Sequence, residues 1–422
     1  MTVHPLIAAL RKHKAGVVLI ALQIALTLAI VCNAIFIIGQ RVERIRRPTG
    51  MNENNLFLIL QSWVGAPTGD DPASIDQLDA MQRTDVATLR GLPDVQSAIA
   101  INSLPLLNST WSGSIGLKPD QQNQTAHAAF YFGDAQMIHA LGLHLVAGRN
   151  FTAADMHHSG LRDAARGQNA PPTVIVTRAL AAQLFPNGDA LGKSIYLDRT
   201  RPSVIVGIIA RLSVPSVESW ASDWFWNSVL IPARLDTNFS RYAVRAKPGR
   251  LQAGMRAASK ALYAANPMRV ILSGSSYDSM RSFATIRAHA YRADRGMAIL
   301  MGVICVILLC VTGAGIVGLT SFWVGERRKQ IGIRRALGAT KADILRYFQI
   351  ENLLIAGAGM ALGIVLAIGL NLWLLSHFAI NRMPAWYVLV GVLAVLALGQ
   401  TAVFAPARSA SKVSPMEGTR SV

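Results

Sequence analysis

Four uncharged apolar runs, each long enough to cross a bilayer, constrain this chain more than any other feature. The first, Ala15 to Gly39 (AGVVLIALQIALTLAIVCNAIFIIG), carries no Asp, Glu, Lys or Arg, and it exceeds the roughly 7 to 15 residues of a secretory signal's apolar core. Met297 to Val324, Leu353 to Phe378 and Trp386 to Ala405 are equally free of charge, and each reaches the roughly 20 residues that a spanning helix needs. Between the first and second runs, no stretch from Gln40 to Arg295 is long and apolar enough to span. The expected fold is therefore an α-helical membrane protein with four transmembrane helices and a large α+β extracytoplasmic domain inserted between helices 1 and 2.

Composition agrees. The 422 residues are 52% hydrophobic and only 15% charged, against about a quarter charged in soluble domains. Intrinsic disorder is thereby excluded. The net charge of +18 sits largely beside the apolar runs, where Lys and Arg fix orientation and meet anionic lipid; membrane lipid is an expected partner and nucleic acid is not. Cys32, Cys305 and Cys310 all fall inside apolar runs, so neither a disulfide framework nor a cysteine zinc site is expected. They read as small lipid-facing or packed residues.

Four spans put both termini on one side. The short segments rich in Lys and Arg decide which side: Arg11, Lys12 and Lys14; the loop carrying Arg327, Arg328, Lys329, Arg334, Arg335, Lys341 and Arg346; and Arg408, Lys412 and Arg420 in the tail. These predict a cytoplasmic segment at 1–14, spans at 15–39, 297–324, 350–378 and 386–405, an outer domain with membrane-proximal stalks at 40–295, a cytoplasmic loop at 325–349 and a cytoplasmic tail at 406–422. Arg41, Arg44, Arg46 and Arg47 argue the other way, from the predicted outer side.

Within the outer region, strand-like runs stand at Asn55 to Leu60, Thr173 to Val176, Val204 to Ile209 and Val229 to Pro232, with helical patterns at Ile75 to Leu89 and Arg178 to Phe185. A division in two is expected near Asn102 to Asp120. Arg41 to Arg47 and Arg281 to Arg295 read as helical stalks continuous with the spans, or as solvated juxtamembrane ends. In the cytoplasmic loop, Ile331, Ile333 and Leu337 lie among basic residues as in an amphipathic helix. Gly338 suits its C-terminal cap, and Thr340 with Asp343 forms a capping box opening a second helix. Such a helix either rests on anionic headgroups or docks a partner.

Residues Glu326 to Ala339, ERRKQIGIRRALGA, resemble the permease signature of the FtsX/MacB superfamily of ABC systems. The tail APARSASKVSPMEGTR, from Ala405 to Arg420, is similar to that family's tail, with departures at Met416 to Thr419. Phe130 to Asp155 and Val176 to Leu197 resemble two stretches of the MacB-type periplasmic core domain. The resemblance implies that Glu326, Arg327, Arg328, Ile331, Gly332, Ile333, Arg334, Arg335, Leu337 and Gly338 couple the permease to a cytosolic ABC ATPase, whose hydrolysis moves the periplasmic domain by mechanotransmission for efflux or export. It also implies the inner membrane, a second permease subunit in a homo- or heterodimer, and room for a periplasmic adaptor protein. The permease itself is expected to perform no chemistry and to hold no cofactor. A receptor whose outer domain binds a ligand, and an FtsX-like regulator of a cell-wall hydrolase, are the alternatives.

Other motifs carry less. Gly188 to Ser194 (GDALGKS) ends like a phosphate-binding loop but has three residues between its glycines where four are needed, and reads as a turn before a strand. With no Walker A loop, the ATPase is expected on a separate chain, unlike MacB, which carries it fused. His157 and His158 with Asp155, and the scattered His127, His139 and His144, match no zinc spacing. Gly274 between Ser273 and Ser275 is turn composition. Trp220, Trp224 and Trp226 either join a core or line a contact surface. Gln23, Asn33, Asn371 and Gln400 are expected to join helices by hydrogen bonds, and the glycines at 313, 315, 318, 357, 359 and 363 to allow close helix packing that favours a moving dimer interface over a pore.

Overall fold

The structure is a computed structural model that describes residues 14–68, 71–160, 171–198, 200–271, 279–378 and 381–412. Arg11, Lys12, residues 273–275 and Arg420 lie outside the described residues, as does the tail from 413 onward. The chain forms two compact units, one spanning Arg47–Arg292 and one made of the segments on either side of it.

Helix α1 (Lys14–Arg46) precedes the mixed unit. That unit opens with β1 (Leu56–Trp63), α2 (Pro72–Arg90) and β2 (Val95–Ala100). Asp71 starts α2 by accepting the Ser74 N–H at 3.0 Å, with proline at the first helical position, where its missing donor costs nothing. The chain then crosses to a second sheet through 101–111. There follow β3 (Ser112–Ile115), β4 (Ala126–Phe132), α3 (Met137–Leu141), β5 (Leu145–Gly148), β6 (His157–Gly160), β7 (Thr173–Thr177), α4 (Arg178–Leu184), β8 (Ser194–Tyr196), β9 (Pro202–Ile209), β10 (Ser228–Ile231) and β11 (Ala233–Asp236). It returns with β12 (Phe239–Ala246), α5 (Leu251–Ala265), β13 (Arg269–Val270), β14 (Met280–Ser282) and α6 (Phe283–Ala290).

The first sheet is antiparallel, in the order β13-β1-β12-β2 with β14 also on β1. Phe57 sits opposite Val244 and Ile59 opposite Tyr242, so the period of two puts all four on one face, packed with Leu89 of α2 and Leu262 of α5. The second sheet is mixed, ordered β3-β4-β10-β7-β9-β5 with β8 on β9. Its core gathers Val174, Val176, Ile205 and Val229 with Leu180 and Leu184 of α4. Two separate cores are thus joined near the stretch where the sequence suggests a division.

Several readings resolve within this unit. Gly188 and Gly192 both hold positive φ in the turn before β8, and Lys193 pairs with Asp189 at 3.4 Å. Asp155 is not part of a metal cluster: Arg149 takes both its oxygens at 2.7 and 3.0 Å, and Thr152 and Thr173 donate to it. No group able to hold a metal ion occurs among the described residues. Trp220 is 56% exposed and meets half-buried Trp224 at 5.4 Å with the rings tilted, so the tryptophans make surface while Phe225, between Trp224 and Trp226, fills the interior.

The second stalk is a correction. Residues 281–295 are not one helix running into a span: α6 ends at Ala290 and Tyr291 breaks the helix before the next begins. Phe283, Ile286 and Tyr291 are all buried, and Arg287 grips Glu53 at 2.6 and 2.9 Å, so α6 is packed into the mixed unit. The first stalk is continuous, since α1 runs unbroken to Arg46.

The helical unit adds α7 (Arg292–Glu326), α8 (Arg328–Ala336), α9 (Lys341–Phe378) and α10 (Ala385–Ala410) to α1. Among the described residues α1, α7, α9 and α10 are long and apolar enough to cross a membrane. Helix α1 packs on α9 and α10. A Cβ on Gly359 would stand 2.7 Å from the Ala21 carbonyl, and one on Gly363 2.9 Å from that of Ala25, so this small-residue stripe lets two backbones meet. Gly357 and Gly318 have open space where a Cβ would stand, and the closest of these glycine contacts lie within the chain. Cys32 fills the space that Gly391 leaves on α10, Cys305 is buried and Cys310 exposed. Gln23 donates to the Val311 carbonyl at 3.2 Å, Asn33 to that of Ala367 at 3.0 Å, and Asn371 accepts the Met383 N–H at 3.0 Å. At the end of α1 near Arg46, Asp294 pairs with Arg41 at 2.6 Å and approaches Arg44 at 3.8 Å.

Candidate coupling segment between α7 and α9

Helix α8 is a short basic helix whose ends are both fixed by local chemistry. At its C-terminus Gly338 takes φ of +99°, which an L side chain rarely adopts. The Gly338 N–H bonds the Arg335 carbonyl at 3.1 Å and the Ala339 N–H bonds that of Arg334 at 3.0 Å, a Schellman cap that satisfies two otherwise orphaned carbonyls. Two residues on, Thr340 and Asp343 close a capping box: the Asp343 N–H donates to Thr340 Oγ1 at 3.2 Å, and the Thr340 N–H and hydroxyl donate to Asp343 Oδ2 at 3.0 and 2.6 Å. The Thr340 hydroxyl, chiefly, holds the Asp343 carboxyl below its ordinary pKa.

Residues 327, 331 and 335 recur at every fourth position and turn one stripe of α8 onto α9. Ile331 is 5% exposed and packs into a cluster with Ile344, Phe348 and Trp323; Gly332 beside it is buried, and Arg335 is half-buried. Arg327, capping the helix start, meets both oxygens of Glu351 at 2.9 and 3.0 Å. Their side chains are 12% and 2% exposed, so this is a two-pronged, largely desolvated ion pair. Arg334 lies over the Tyr347 ring at 4.8 Å. The remaining candidates face outward: Glu326, Arg328, Ile333, Leu337 and Gly338 are exposed, Ile333 by 50% and Leu337 by 83%.

The apolar set read from the sequence thus divides. Ile331 belongs to the inner stripe packed against α9, whereas Ile333 and Leu337, four residues apart, make an exposed ridge bordered by cations. The sequence reading missed Glu351, Tyr347 and Phe348, which hold α8 in place. Glu351 had a signal, being an ionisable residue at the edge of an apolar run, where a partner is the default expectation. That partner lay on another helix, and no local spacing identifies it.

Comparison with known proteins places this geometry in context. Residues 18–262 match the family described as MacB-like periplasmic core domain, and residues 302–415 the family described as FtsX-like permease C-terminal. The chain is 25% identical over 99% of its length to a macrolide export ATP-binding/permease protein, MacB 2, of Aeromonas hydrophila subsp. hydrophila, covering 59% of that protein. It is 27% identical over 83% of its length to a pyoverdine export ATP-binding/permease protein, PvdT, of Pseudomonas savastanoi pv. phaseolicola, covering 49% of it, and 26% identical over 65% of its length to a MacB of Chromobacterium violaceum, covering 40%. The chain therefore spans about half the length of the curated relatives it matches.

Proposed function

The chain belongs to the FtsX-like permeases that carry a MacB-like periplasmic core domain, and on that premise we propose that it is the permease of an ABC exporter driven by an ATPase lying outside these 422 residues. Four apolar helices and the MacB-like domain make it a multi-pass membrane protein with an extracytoplasmic domain. In this reading both termini and α8 face the cytoplasm at the inner membrane, a second permease subunit completes the assembly, and a periplasmic adaptor receives what is expelled.

The ridge of Ile333 and Leu337 carries the proposal. An exposed apolar pair on a basic helix is costly to leave in water, and it is the kind of surface that enters a groove on a partner. Docking there would load α8, which transmits to α9 because Arg327–Glu351 and the Ile331 cluster leave it little freedom. Helix α9 in turn meets α1 at Gly359 and Gly363, and α1 continues without a break to Arg46. ATP-driven closure of the ATPase would move this rigid path, and with it the outer domain. The permease needs no reacting group for such work.

Affinity purification of the full chain in mild detergent, with mass spectrometry and an ATPase assay of the eluate, tests the reading. A stoichiometric ABC ATPase is expected, with recovery falling at least about tenfold in Leu337→Asp while the permease stays monodisperse, since about 1.4 kcal/mol lost from the interface already gives that factor. Absence of any ATPase under conditions that preserve such complexes would overturn it in favour of the receptor reading. Undiminished recovery with Leu337→Asp and Ile333→Asp together would remove the ridge from the docking surface.

A further inference from the structure

The ends of α9 and α10 enclose an apolar groove of about 740 Å³, lined by Ile364, Ile368, Leu372, Val388, Leu389 and Val392. Two polar groups border it, Asn371 and Arg382. Asn371 is 3% exposed, and the orientation of its amide is fixed, because Oδ1 accepts the Met383 N–H at 3.0 Å. The Nδ2 group must then donate, yet it has no acceptor among the described residues. A buried amide donor without a partner costs free energy that an occupant of the groove would recover. Arg382 is exposed on the connection between the two helices and makes no ion pair among the described residues.

The occupant must therefore be apolar over most of its length and offer acceptors and negative charge at one end. From Ile364 to Leu372 the groove runs about 12 Å along the helix axis at 1.5 Å per residue, enough for the half of an acyl chain nearest its ester. Depth agrees. Trp373 and Trp386 are 51% and 54% exposed on the same ends of the same helices, where indoles mark the headgroup level. Asn371 lies within one turn of Trp373 and so near the depth of ester carbonyls, with Arg382 beyond it among the phosphates.

We propose that this groove is a binding site for one anionic glycerophospholipid, its acyl chain along α9 and α10, an ester carbonyl accepting from Asn371 Nδ2 and its phosphate facing Arg382. The site rests on α9 and α10 crossing a membrane and is independent of the coupling reading.

The test is native mass spectrometry of the full chain released from nanodiscs containing equal amounts of phosphatidylglycerol and phosphatidylcholine with identical chains. Retention of phosphatidylglycerol over phosphatidylcholine by about fivefold or more is expected. Arg382→Gln should remove that preference. Asn371→Asp, which keeps the acceptor for Met383 and removes the free donors, should lower retention of both lipids severalfold. Val392→Trp, which fills the groove, should abolish it with circular dichroism unchanged. Equal retention of the two lipids, or retention unaffected by Val392→Trp, would overturn the proposal. So would binding of water-soluble glycerol phosphate as strong as that of the whole lipid, since an anion site without the groove would then suffice. Loss of self-association rather than of lipid in Val392→Trp would assign the groove to a second copy and overturn it as well.

Discussion

At the scale of single residues, the mixed unit is fastened by polar groups that the apolar pattern hides. Arg269 and Asp85 are completely buried and bonded at 2.8 and 2.9 Å, with Gln61 accepting from the same guanidinium and Tyr242 donating to the carboxylate at 2.9 Å. Removing one partner leaves the other charge uncompensated, so Asp85→Ala should cost about 3–5 kcal/mol, read as a fall in the chemical-denaturation midpoint of the full chain in detergent. A change under about 1 kcal/mol would mean that water reaches the pair. Asp155 behaves differently. Arg149, first, and then the Thr152 and Thr173 groups hold its carboxyl well below the ordinary range. Its contribution is thus present above the unfolded value of about 3.9 and is lost as the pH falls from there toward the depressed folded value. Asp155→Asn should melt several degrees below the parent at pH 7, and the gap should narrow as the pH drops through about 4. A gap that is constant with pH would show that the carboxylate charge is not what stabilises the turn. The Asp155 carboxylate was visible in the sequence beside two histidines whose spacing fits no zinc site. Its guanidinium partner was not identified, because the 3₁₀ turn Ala153–Asp155 is what brings Arg149 round.

Among elements, those whose cause is local were legible and those whose cause is a distant contact were not. The capping box at Thr340 and the left-handed Gly338 are chemistry within five residues, and both stand as the sequence reads. Strands β7 and β9 contain, and β1 and β10 cover all but one residue of, the runs that alternation and β-branching suggest. The partition of α8 into an inner and an outer stripe was not legible, because Ile331 and Ile333 are equally apolar and only the neighbour α9 distinguishes them. The break at Tyr291 has no Pro or Gly to announce it, and follows from packing of Phe283 and Ile286 in the mixed unit. The two legible features and the hidden one on α8 separate in an experiment. Gly338→Ala forces an L side chain into a conformation costing about 1–2 kcal/mol, and should lower ATPase recovery modestly. Glu351→Ala strands Arg327 and should lower both stability and coupling strongly, whereas Arg327→Met with Glu351→Leu, which replaces the pair by apolar bulk, should restore the melting temperature. If the double variant also regained full ATPase recovery, the ion pair would be a packing device alone. Continued loss would mean that its charge orients α8.

For the whole molecule, orientation is the property that the sequence argued from opposing signals. Three basic segments favour α8 and both termini on the cytoplasmic side, and the cluster at the other end of α1 opposes them. Asp294 pairs with Arg41 and approaches Arg44 within the helical unit, while α8 keeps Arg328, Lys329 and Arg334 exposed. Arginines paired across two helices anchor their ends to each other, but the orientation rule counts Lys and Arg rather than net charge, so the cluster still stands against the three segments. The proposed orientation, with α8 cytoplasmic and the mixed unit outside, rests on three segments against one. Two sites report on the two sides, Leu337 on the ridge and Trp220 on the mixed unit, both more than half exposed. In a background where Cys32, Cys305 and Cys310 are replaced by Ala, Trp220→Cys should react with a membrane-impermeant maleimide on intact spheroplasts, and Leu337→Cys only after permeabilisation. The reverse pattern would turn the protein over in the membrane and put the ridge where no ATP-driven partner could reach it. Labelling of both sites from outside would mean that α1, α7, α9 and α10 do not all span.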